Sequence, residues 1–170
     1  MPRRSPSRVS RIAPLAILLA LGAGASATGC VHNPERLPRI DRQFYYNLPT
    51  EEDRDAFLRL REKERQSFLE DKGLWSEWLE LNEAERRAVN EAKVEVGHHV
   101  FAAHMAWGPP ADVKQAEARD RKVYFETYIR CTSGPRVGRY VHQNVDCDGT
   151  SSEVQLAIEN ERVTEIKYLD

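Results

Sequence analysis

The chain has 170 residues, with 25 Lys and Arg against 27 Asp and Glu, for a formal charge of −2. No block of like charge stands out, so the sequence lacks the basic patch that phosphate-backbone binding needs, and nucleic acid is not an expected partner. The length suits one domain beside any targeting segment.

The first segment opens with Arg3, Arg4, Arg8 and Arg11 and no acid. An uncharged run follows from Ile12 to Gly29, rich in Leu, Ile and Ala and ending in small residues before Cys30. A basic head, an apolar middle and a small-residue end are the three parts of a secretory signal peptide. Pro14 and the weakly apolar second half make the run a poor membrane-spanning helix, which needs about 20 apolar residues. Ala27-Thr28-Gly29-Cys30 resembles the bacterial lipobox. That resemblance implies cleavage before Cys30 and acylation of its sulfur and amine, which would anchor the chain to a membrane by fatty chains. Val31 follows the Cys, in place of an Asp that resembles an inner-membrane retention signal, so the expected location is the periplasmic face of the outer membrane. Residues 1–29 hold four of the basic residues and no acid, so the remainder carries 21 basic and 27 acidic residues, a charge of −6.

Residues 30–49 read as a lipidated Cys and an extended tether, because Pro34, Pro38 and Pro49 restrict helical geometry. Phe44, Tyr45 and Tyr46 are expected to tuck against the domain. A helical segment spans 50–93. Thr50 and Asp53 form a capping-box-like pair, and Phe57, Leu60 and Phe68, with Leu58 and Leu69, give a broken apolar stripe running to a stop at Gly73. Trp75, Trp78, Leu79 and Leu81 are expected to plug the space between helices. Asn82 with Glu85 caps another helix to about Ala92, with Ala88 and Val89 inward.

From Val94 on, the pattern is Val-x-Val-Gly, a short helix burying Val100, Phe101 and Met105, then Trp107-Gly108-Pro109-Pro110. This order, followed by strands, resembles the SmpA/OmlA domain of the small lipoprotein E subunit of the outer-membrane β-barrel assembly machinery. The resemblance covers 94–170 and rests on Gly97, Trp107, Gly108 and Pro110. It implies helices packed on a small antiparallel sheet, with those anchors structural and not catalytic. The helical front and the segment between Cys131 and Cys147 depart from the family pattern.

Residues 111–120 read as a polar loop. Lys122–Arg130 alternates, with Val123, Phe125 and Ile129 on one face and Tyr124, Glu126 and Tyr128 on the other. Turn residues fill 132–149, with a short strand expected within 139–145. Glu153–Glu159 is a strand with Val154, Leu156 and Ile158 inward. Asn160-Glu161 turns the chain, and Arg162–Leu169 returns with Ile166 and Tyr168 facing the core. The fold class is therefore α+β, with N-terminal helices, a three- to four-stranded antiparallel sheet and helices on one face.

With Cys30 acylated, Cys131 and Cys147 remain in an oxidising compartment, and a disulfide is the expected state; free thiols or half a metal site are the alternatives. His98, His99 and His104 share one short helix but lack the i,i+4 spacing of a zinc helix. Asp146 and Asp148 read as turn residues, since the other ligands of a calcium loop are missing. No phosphate loop, nucleophile elbow or C-x-x-C pair occurs. No cofactor or metal is expected, and an enzyme built on His142 ranks last. The leading reading is a lipid-anchored, non-catalytic interaction domain whose partner is another envelope protein. The alternative is an inhibitor or small-ligand module that uses the disulfide-held loop 132–146, with Val137, Arg139, Tyr140 and His142 as contacts.

Overall fold

The structure is a computed structural model that describes residues 33–118 and 121–169. The export segment and Cys30 lie outside the described residues. Among the described residues, six α-helices precede five strands.

The expected extended tether is instead largely helical: α1 spans Arg39–Asn47. Pro38 sits at its N-cap, where a missing N–H costs nothing because the first helical donors have no intrahelical partner. Phe44 is 1% exposed and Leu48 is also buried, so this segment belongs to the core. Phe44 packs 5.9 Å from Trp75 and 6.0 Å from Trp78, ring centre to ring centre. Tyr46, by contrast, is exposed, and its hydroxyl donates to Glu35.

Thr50 caps α2 (Glu51–Arg59) as its sequence implies, accepting from the Asp53 N–H at 3.1 Å. The single helix expected to run to Gly73 is broken. Leu60 and Arg61 are extended, and α3 (Glu62–Asp71) starts afresh, with Glu64 taking the Arg61 N–H. A straight helix would hold Phe57 and Phe68 about 16 Å apart along its axis. The corner brings their rings to 5.9 Å, and burial of Phe57 follows. Ion pairs Lys72–Asp53 and Arg65–Asp41, both at 2.6 Å, brace the turn.

Gly73 adopts φ +79° and links α3 to α4 (Leu74–Glu80). Trp75 and Trp78 cover the helical core, and Leu81 is buried in it. Leu79 is 56% exposed, contrary to expectation, because it lies about 100° around the helix from Trp78. Asn82 and Glu85 form the reciprocal capping box of α5 (Glu83–Asn90). Helix α6 (Val100–Trp107) is apolar nearly all round, the mark of a helix covered on more than one side. Phe101, Ala102 and Met105 join the helical cluster, while Ala103 and Trp107 join the cluster over the sheet.

The expected loop at 111–120 contains a strand, β1 (Asp112–Ala118), paired with β2 (Arg121–Cys131). Its exposed side chains are mostly polar or small, so no hydrophobic alternation marks it; the backbone ladder defines it. β4 (Ser151–Glu159) and β5 (Arg162–Leu169) complete the antiparallel order β1-β2-β4-β5, and the short β3 (Tyr140–Val141) pairs with β2. The α+β architecture, with helices first and an antiparallel sheet after, is as expected. Tyr128, Val154, Leu156, Ile158 and Val163 form the sheet side of the core. Asn160 and Glu161 both take positive φ, 52° and 62°, in the turn between β4 and β5. A bulge follows: Val163 faces Ile158, but Ala157 faces Glu165. Ile166 still packs beside the core, whereas Tyr168, expected inward, is 64% exposed.

Candidate functional site

Three side-chain constellations carry the chemistry of the described residues. The first lies at the junction of α6 and β2. His104 Nε2 sits 3.0 Å from both oxygens of Glu126, and the Tyr128 hydroxyl donates to Glu126 at 2.6 Å. Strand alternation turns Glu126 and Tyr128 toward the helix, and Asn47 donates to the His104 carbonyl from α1. Burial, and next the Glu126 charge, push the Tyr128 phenol well above its ordinary range. Glu126 is 7% exposed and Tyr128 is fully buried. A carboxylate with both oxygens hydrogen-bonded, beside a buried hydroxyl, joins α6 to the sheet.

The second is Glu85, 3% exposed. It accepts from the N–H of Asn82 at 2.9 Å and of His99 at 2.8 Å, and Arg162 Nη1 lies 3.3 Å away. One carboxylate thus joins the start of α5, the start of α6 and the β4–β5 turn. Burial pulls its pKa up, but the bonds from Asn82 and His99 and the Arg162 charge outweigh that and hold it below the usual glutamate range.

The third is an open depression of about 410 Å³ beside the end of α5, walled by residues 91–95, Arg130, Gly138 and Tyr168 over Trp107 and Tyr140. Trp107 and Tyr140 stack at 4.5 Å and 15°, and the Trp107 indole N–H donates to the Ala92 carbonyl. Burial pushes the Tyr140 phenol up to about 12. Glu91, Lys93, Glu95 and Arg130 supply charge around this aromatic floor.

Cys131 and Cys147 are bonded, with Cα atoms 5.2 Å apart, and both are buried. Of the four loop contacts expected from sequence, only Tyr140 lines the depression. Val137 and His142 are exposed elsewhere on the excursion, and Arg139 reaches toward Glu35 at 4.0 Å. The four do not converge. Asp146 accepts the Gln143 N–H at 3.2 Å, which is the turn role its spacing suggests. The three histidines expected on one helix do not share it: His98 precedes α6 and its Nδ1 accepts from the Glu95 N–H, His99 is the N-cap and its Nδ1 accepts from the Phe101 N–H, and only His104 lies within the helix. Among the described residues no group of three or more His, Cys, Asp or Glu side chains is placed to hold a metal ion.

Sequence reasoning missed Arg130, Lys93, Glu95 and Tyr168 at the depression. They come from separate segments and carry no shared spacing, so no local signal marked them. Comparison with protein families, curated proteins and solved structures finds no match for this chain. Among the described residues no helix is long and apolar enough to cross a membrane.

Proposed function

We propose that this chain is a lipid-anchored bacterial envelope protein, held at the periplasmic face of the outer membrane through acylated Cys30, whose domain binds another envelope protein and performs no catalysis. The observation that carries this reading is the run from Arg3 to Cys30: basic head, apolar middle, small residues, cysteine. The Cys131–Cys147 bond supports it, because stable disulfides belong to oxidising spaces. The order of Gly97, helix, Trp107-Gly108 and antiparallel strands supports a likeness to the SmpA/OmlA domain. The depression floored by Trp107 and Tyr140 is the contact surface we favour, since aromatic residues with charged rims are frequent at binding interfaces.

The experiment is membrane fractionation and intact-mass measurement of the parent and of Cys30→Ala, followed by crosslinking in whole envelopes. The parent is expected in the outer-membrane fraction, trimmed before Cys30 and heavier by its fatty chains, and crosslinked to a discrete partner. Identical processing and fractionation of the two forms, with Met1 retained in both, would refute the anchor. Absence of any specific crosslinked protein would refute the binding role.

A second reading, an inhibitor or small-ligand module, draws on Gly138 and Tyr140 of the disulfide-held excursion reaching the same depression. Replacing Val137, Arg139 and His142 by Ala, which leaves the Trp107–Tyr140 floor in place, separates the two: envelope crosslinks survive under the first reading and vanish under the second.

A further inference from the structure

One edge of the sheet is formed by β1 and, further along β2, by the two-residue β3; the other is β5. At the start of β5 the edge is occupied: the Gly97 N–H donates to the Val163 carbonyl at 2.7 Å, and the Val163 N–H donates to the His98 carbonyl at 2.9 Å. Val163 therefore points its backbone groups away from β4. The bulge after it adds one residue, so alternation makes Ile166 and Tyr168 the next to point outward. Among the described residues, no backbone group from Thr164 to Leu169 bonds to anything beyond the sheet. An unpaired run of this kind is a template for another strand.

The side chains along this run are self-complementary. Glu165 and Lys167 pair with Ala157 and Gln155 of β4, so both lie on the sheet face turned away from the helices. Neither has an ion-pair partner among the described residues. Place a second β5 antiparallel to the first, with Ile166 opposite Ile166. Each Glu165 then stands directly across from Lys167 of the second copy, twice over by symmetry. Sliding by one residue sends the side chains to the wrong faces. Moving the axis to the next face-preserving position sets Glu165 against itself or Lys167 against itself. Ile166 lies near the middle of the run that the Gly97–His99 segment leaves open. Edge β1 offers no equivalent. Its opposite-charge alignment centres on Val113, at the strand's start, and uses Asp112 and Lys114, which already pair with each other at 3.1 Å.

We propose that two copies of this chain join through β5, antiparallel about a two-fold axis through Ile166, so that their sheets run on as one and each Glu165 meets the Lys167 of the second copy. Ile166 exchanges backbone hydrogen bonds with its counterpart, and Tyr168 lies across from Thr164. Such a contact is isologous and closes at two subunits, so it caps the edge and does not propagate it.

The test uses the full chain purified in detergent, with sedimentation equilibrium in density-matched buffer. Three variants are compared with the parent: Glu165→Lys, Lys167→Glu and the double reversal. Each single reversal places like charges across both halves of the axis and is expected to weaken the dimer at least roughly tenfold. The double reversal restores opposite charges and is expected to recover the parent's affinity. Ile166→Cys is expected to give a disulfide-linked dimer on a non-reducing gel, because the axis brings that position against itself. A parent that stays monomeric at about 100 µM would overturn the proposal. So would single reversals that dimerise like the parent, or a double reversal no better than either single one.

Discussion

Glu85→Ala is the most informative single perturbation of the fold. The substitution removes a charged acceptor from two backbone donors, Asn82 at 2.9 Å and His99 at 2.8 Å, and from Arg162 at 3.3 Å. Asn82 is exposed, so its N–H regains water and its share is that of a lost cap, about 1 kcal/mol. The His99 N–H is half-buried, and its bond to a charged group is worth about 2 kcal/mol. Arg162 is more than half exposed, and solvent screening holds its share well under 1 kcal/mol. The total is about 3 kcal/mol, which for a body of this size lowers the melting temperature by about 10 °C. Thermal unfolding followed by circular dichroism at pH 7 reads it. Glu85→Gln keeps one carbonyl acceptor and is expected to lose about half as much. The sign of the pH dependence follows from the depressed pKa. The carboxylate's contribution is complete above the unfolded value, near pH 4.3, and is lost as pH falls through the folded value. The gap between parent and Glu85→Ala should therefore hold from pH 7 to about pH 5 and shrink below about pH 4. A gap under about 0.5 kcal/mol at pH 7, or one as wide at pH 3 as at pH 7, would refute the assignment of Glu85 as a buried clamp.

Gly108 ends α6 at φ +88° and ψ −176°, a region open to glycine alone, and a Cβ there would meet no atom within 4 Å. Gly108→Ala should thus cost about 1–3 kcal/mol through backbone strain and not through a clash, measured by urea unfolding with the slope unchanged. Leu81→Ala should cost about 2–5 kcal/mol and Leu79→Ala under about 0.5 kcal/mol, although the two residues sit two apart; equal losses would contradict the side of α4 assigned to the core. Replacing Cys131 and Cys147 together by Ser should cost about 3 kcal/mol and open residues 132–146 to limited proteolysis, with β2 and β4 still paired by amide exchange. Loss of the whole sheet's protection in that variant would show that the bond supports more than the excursion.

Features that depend on near neighbours were legible in the residues themselves. Thr50 and Asn82 cap helices because their side-chain oxygens reach an N–H three residues on. Gly73 and Gly108 end helices because positive φ costs glycine little, and Asn160, whose short polar side chain tolerates the left-handed region, marks the reversal between β4 and β5. Val154, Leu156 and Ile158 show their inward face by alternation alone. The disulfide was expected from cysteine count and compartment.

Tertiary structure decided what depends on a distant partner. Phe44 makes α1 part of the core only because Trp75 and Trp78 arrive to cover it. The corner at Leu60–Arg61 brings together Phe57 and Phe68, a contact between side chains too far apart in sequence for a local preference to announce it. β1 lacks a hydrophobic pattern and is a strand because β2 supplies its hydrogen bonds. Alternation in β2 defined two faces without saying which one the helices would cover; Glu126 meeting His104 settles that. At the depression, Tyr140 alone was anticipated, while Lys93, Glu95, Arg130 and Tyr168 assemble from separate segments. Capping and turn preferences act over three or four residues and are written in local chemistry. Burial and pairing are set by whichever surface comes to lie opposite, and that is known only once the chain has closed on itself.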